Sequence, residues 1–139
     1  RAPKATGVCR AMNFGWVPMP IPKELWRACE RLLMPALVHG NECDVDDVVC
    51  DLRTGDAQLW IARDDEVRGA CVTRAGEGEV QIWLMGGSLA CIPHIVDIEA
   101  AAKHAGYSVM AINGRKGWQR VLKSYGWRAT HDGLRKVLI

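Results

Sequence analysis

Three groups of side chains in this 139-residue chain have the types to do chemistry. His39, Cys43 and Cys50, with Asp44, Asp46 and Asp47 among them, offer metal donors. Zinc sites draw their ligands as tight pairs such as Cys-x2-Cys, and His39-x3-Cys43 followed by Cys50 lacks a second pair. The three acids read better as charges at the positive start of a helix. Arg115, Lys116, Arg120, Lys123 and Arg128, with Arg135 and Lys136 behind them, gather cations around one short helix. Such a group holds the phosphates of a ligand or of a nucleic-acid backbone, or forms a solvated helix face. The third group is six Trp, many for this length. Trp60, Trp83 and Trp118 fit a core. Trp16 stands in a proline-rich lead-in with no local core, as an aromatic anchor for a protein partner does.

The bulk numbers narrow the classes. The length suits one domain. Hydrophobic residues are 49% and charged residues 24%, enough for a packed core. A net charge of +2 does not by itself argue for nucleic acid, which leaves that partner as the weakest reading. No apolar run approaches the ~20 residues of a membrane span, so no membrane partner is expected. Of six Cys, Cys29, Cys71 and Cys91 lie in apolar runs, where a thiol behaves as a small hydrophobe. That pattern, with no secretory signal, reads as a reduced protein of the cytoplasm. No Gly-x-Ser-x-Gly, phosphate-binding loop or His-Glu-x-x-His occurs.

The elements that must position these groups follow from periodicity. Residues 1–21 hold no period, and 1–22 hold four of the six Pro; they read as an extended arm. A single domain is expected over 22–139. Residues 22–41 form a helix opened by Pro22, with Leu25, Cys29, Leu32 and Leu33 on one face and Pro35 kinking or ending it. Residues 44–56 form a second helix, with Asp44 as N-cap and Gly55 as its stop. Strands follow at 57–65, 66–76 and 79–87, the first two a hairpin through Asp64-Asp65. A helix at 93–107 starts at Pro93 and is capped by Gly106. A buried strand at 108–114, a helix at about 117–125 and a final strand, turning at Asp132-Gly133, close the chain.

This order, with the segment AGYSVMAINGRKGWQRVLKSYGW, resembles the GNAT (Gcn5-related N-acetyltransferase) superfamily over roughly residues 22–139. Its ending, GRKGWQRVLKSYGW with LRKVL behind, is similar to small GNAT-like proteins encoded by bacteriophages. The resemblance implies an α+β fold, with a mixed, mostly antiparallel central sheet flanked by about four helices. It implies acetyl-CoA as cofactor, and an N-acetyltransferase with a degenerate site. The alternative it implies is a non-catalytic phage virion or assembly protein. That protein would use the fold as an interaction module and the Trp16 arm to dock phage structural proteins.

The residues implied for the cofactor are Met85, Gly86, Gly87 and Ser88, in MGGSLACIPH, and Asn113. A diphosphate wants free backbone N–H groups at a helix start, and the glycines would let backbone approach it. The family's Arg/Gln-x-x-Gly-x-Gly/Ala spacing is absent, no Arg or Lys stands in 75–102, and Pro93 removes one donor. The family's general-acid tyrosine falls here on Leu122; Tyr125 is the substitute. Glu79 at a strand start and His94 at a helix start are the candidate bases. A helix N-terminus favours neutral His94, which suits that role.

Overall fold

The computed structural model describes residues 12–40, 44–112, 117–131 and 133–139. Strand β1, Asn13–Val17, comes first. Helices α1, Lys23–Gly40, and α2, Val45–Thr54, follow. The meander β2 (Ala57–Arg63), β3 (Val67–Ala75) and β4 (Glu79–Gly87) comes next. A 3-10 turn at Leu89–His94 runs into α3, Ile95–His104. Strand β5 (Val109–Ile112), helix α4 (Gly117–Leu122) and strands β6 (Arg128–Thr130) and β7 (Gly133–Val137) complete the chain. The seven strands form one sheet in the order β1-β2-β3-β4-β5-β7-β6. Every pairing is antiparallel except β4 with β5. Among the described residues this is the mixed, mostly antiparallel sheet with four helices that the resemblance implied.

Local chemistry explains the helix ends. Asp44 and Asp47 exchange backbone-to-carboxylate hydrogen bonds of 3.0 Å each, a reciprocal cap at the start of α2. Gly55 closes α2 at φ +88°, a conformation that a side chain strains. Beyond α3, the Gly106 amide donates to Lys103 and the Tyr107 amide to Ala102.

Three expectations need correction. The lead-in holds a strand: Asn13–Val17 pairs in register with Leu59–Arg63, Trp16 opposite Trp60. Helix α1 runs through Pro35 to Gly40. Pro35 and Arg31, whose carbonyl loses its partner, both face solvent, while buried Leu33 and Leu37 hold the other face on the sheet. Pro93 does not open the third helical stretch but sits inside its 3-10 turn, which starts at Leu89.

The sheet separates two cores. One, beneath α1 and α2, holds Cys29, Leu33, Val48, Leu59, Val72 and Leu84. The other, beneath α3 and the α4 segment, holds Ile82, Ile95, Ile98, Met110, Leu122 and Trp127. Strand β4 feeds both. Val72 pairs with Leu84 and Thr73 with Ile82, so Trp83 is an extra residue, a β-bulge. Before the bulge, Val80 and Ile82 point to the α3 side; after it, Leu84 points to α1 and Met85 to α3.

Candidate functional site

The parallel pair defines the site. Glu79–Ile82 pair with Val109–Ile112, and β5 stops there. The remaining half of β4, from Trp83 to Gly87, pairs with β3 but has no strand on its other side among the described residues. The sheet therefore splays, and along one edge the amides and carbonyls of that half are paired by no strand among the described residues. A buried edge of that kind must find partners. The helical stretch from Leu89 leaves directly from this end.

At the tip of the splay, three aromatic rings stack. Phe14 from β1 lies parallel to Trp60, with centroids 5.9 Å apart, and to His94, 5.1 Å apart at an interplanar angle of 6°. Trp60 Nε1 donates to Thr73 Oγ1 at 3.0 Å, and that hydroxyl donates to Gln58 Oε1 at 3.2 Å, fixing the base of the column. His94 Nδ1 is 3.4 Å from Asp97 Oδ2. The tautomer that donates to Asp97 leaves Nε2 as an acceptor. Below the column, Phe14, Met85, Ile92 and Ile95 enclose a cavity of about 20 Å³, room for one water.

Gly86 and Gly87 are required by the chain's own packing. A Cβ on Gly86 would lie 1.9 Å from the Leu32 carbonyl oxygen of α1. One on Gly87, at φ +115°, would lie 2.3 Å from the Arg68 carbonyl oxygen. The Ser88 amide donates to that same carbonyl at 2.9 Å, and the Ser88 carbonyl accepts from the Cys91 amide. The Cβ sides of both glycines and the Ser88 amide thus face protein. Met85 is half-buried and lines the small cavity. Asn113, Arg115 and Lys116 lie outside the described residues, as do Cys43 and the side chains of His39 and Trp118.

The three candidate catalytic residues are not brought together. Glu79 begins β4, paired with Arg135 at 2.9 Å, while His94 lies beyond the other end, roughly 25 Å of strand away. Tyr125 packs against the α3-side core, and its carbonyl accepts from Lys136 at 2.6 Å. Lys136 pairs with Met110, itself opposite Val80, so the Tyr125 backbone belongs to the Glu79 end. Leu122, where the resemblance places an acid, is fully buried. Only His94 stands at the splay. Sequence reading missed Phe14, its ring partner; the signal was NFGWV, a short aromatic alternation inside a proline-rich stretch.

No family model matches the sequence, and the curated proteins hold no match. The fold does match solved structures. One is Tetrahymena Gcn5, TM-score 0.70 at 6% identity, covering 91% of this chain and 96% of that one. Another is the Bacillus subtilis acetyltransferase in complex with CoA, TM-score 0.66 at 16% identity, covering 93% and 100%. A third is a GNAT family acetyltransferase from Elizabethkingia anophelis with acetyl-CoA bound, TM-score 0.62 at 18% identity, covering 86% and 77%. At these identities the likeness is one of fold: the chain folds as GNAT acetyltransferases do.

Proposed function

We propose that the chain is an acetyltransferase of the GNAT fold that receives the thioester arm of acetyl-CoA on the open edge of β4. The observation that carries this reading is the half-paired strand: Trp83–Gly87 offers amide and carbonyl groups beside the end of β5 at Ile112. Two neighbours of the same fold are complexes with acetyl-CoA and with CoA. The fit is uneven along the cofactor. An amide-rich arm suits a strand edge, whereas the stretch 85–94 holds no Lys or Arg for a diphosphate, and its Ser88 amide is spent on the Arg68 carbonyl. The cations available lie on the segment after β5. Arg120 and Lys123 are exposed and make no ion pair with the described residues, and they are the groups to meet phosphates. His94, with Asp97 beside Nδ1 and an acceptor at Nε2, is the base by placement. When bound, acetyl-CoA supplies the activated acetyl group. The neighbours described above lend no support to the phage-encoded, non-catalytic alternative.

Calorimetric titration with acetyl-CoA, paired with amide NMR, tests the reading. Micromolar binding that shifts the Trp83–Gly87 amides, weakened about tenfold in R120E/K123E, is the expected result. Absence of heat and of shifts at millimolar acetyl-CoA would sink it. Gly87→Val is unsuitable as a control, because its side chain would strike the Arg68 carbonyl.

A further inference from the structure

Where α1 begins and α2 ends, on the side of the sheet that these helices cover, residues of both line a hollow of about 360 Å³. Its floor is apolar, with Leu52 buried beneath and the Trp26 indole half-buried at the side. Met19, 44% exposed, forms the remaining wall and separates it from a second hollow of about 260 Å³ under Trp16. Three cations stand at the rim: Lys23 and Arg27, one turn apart on α1, and Arg53 on α2. All three are exposed, and none makes an ion pair or hydrogen bond with the described residues. The single acid, Glu30, lies a turn beyond Trp26, away from Lys23.

We propose that this hollow is a binding site for a small amphipathic anion: a planar apolar body of about two rings carrying one carboxylate. Size, lining and charge each point that way. The volume lies at the lower end of small-molecule sites, too small for a nucleotide with its sugar and phosphates but roomy for two fused rings. An indole wall over an aliphatic floor takes a flat apolar body by stacking and burial. Three cations against one carboxylate leave a net positive rim, and two guanidinium forks from different helices suit a carboxylate, which accepts paired N–H bonds. A cationic ligand would meet repulsion from the same three groups. The site is separate from the splay. Ala57 beside it is in register, through Arg74, with Gln81 near the start of β4, and Ala57 and Leu52 pack on the α1/α2 side. The proposal is therefore independent of acetyl-CoA binding.

The probe is 2-naphthoate, with 2-naphthylmethanol as its uncharged analogue, titrated into the full chain by calorimetry and amide NMR in low salt. The expected result is saturable naphthoate binding that shifts amides of residues 19–30 and 49–53. The alcohol should bind about tenfold more weakly, and R27E/R53E should lose a similar factor. Both arginines are exposed, so the unshifted remainder of the double variant's spectrum checks its fold. Equal binding of acid and alcohol, shifts confined to other residues, undiminished binding by folded R27E/R53E, or no binding at millimolar naphthoate would each overturn the proposal.

Discussion

Lys136 Nζ lies 2.7 Å from Glu99 Oε1, so the last strand is tied by charge to the third helix. The same ammonium donates to the Tyr125 carbonyl at 2.6 Å. One cation thus joins β7, α3 and the turn after α4. Glu99 is almost fully buried, and its other oxygen has no hydrogen-bond partner among the described residues. A buried carboxylate in that position depends on its one cation. Lys136→Met strands the charge and should cost about 3 kcal/mol in urea unfolding, whereas E99M/K136M should fall within about 1 kcal/mol of the parent. Equal losses in both variants would show that the pair itself, and not the stranded charge, carries the stability.

The buried thiols set an alkaline limit. Burial pushes Cys71 from its ordinary 9.0 up to about 12. It pushes Cys29 up to about 11 against a smaller opposing pull from Arg63. A raised folded value means the native state holds the proton more tightly than the unfolded chain does. The stabilisation is complete below pH 9 and is lost as pH climbs toward 11 and 12. Unfolding midpoints should therefore fall between about pH 9 and about pH 11, and a Cys71→Ala variant should show a shallower fall. An identical slope in the variant would assign the loss to other groups.

Two glycines in the same sheet should respond oppositely to one methyl group. Gly86→Ala places its Cβ against the Leu32 carbonyl, a backbone atom that cannot swing aside, and should destabilise by more than about 2 kcal/mol. Gly15→Ala in β1 meets nothing within 4 Å and carries no positive φ. It should be neutral, or stabilise by up to about 1 kcal/mol through the unfolded chain. Thermal melts of the pair decide this. A mild Gly86→Ala would mean that α1 can lift from β4.

The ring column gives a spectroscopic signature. His94 protons lie over the face of Phe14 and should resonate upfield of an exposed imidazole. Phe14→Leu should return them toward ordinary positions while the amides of α1 stay in place. Unmoved His94 signals would place the ring elsewhere in solution.

Much of this architecture was legible because local patterns and tertiary packing agree. The Asp44 cap, the Gly55 and Gly106 stops and a strand within 108–114 were all readable from composition and spacing. Where they failed, a distant contact decided. Asn13–Val17 is a strand only because β2, more than forty residues later, offers it an edge. Val80, Ile82 and Leu84 read as one face under a period of two, yet Leu84 faces the other core because Trp83 bulges. Gly86 and Gly87 looked like room for a ligand, and no local signal reveals that Leu32 and Arg68 occupy it. The candidate site was less legible than the fold for the same reason. Glu79 and His94 are near in sequence but belong to opposite ends of a strand, and the neighbour that matters to His94 is Phe14.

The division into two cores has a consequence on the ribosome. Every buried residue of the α1/α2-side core falls between Cys29 and Leu84. That core can close once the meander has cleared the exit tunnel, with four antiparallel strands already in hand. The α3-side core draws on Cys71 through Leu134, so it waits until β7 has emerged. Until then, one face of the new sheet stands bare. The nascent chain thus passes through a half-built state whose exposed surface is the underside of β4, the strand that later carries the splay.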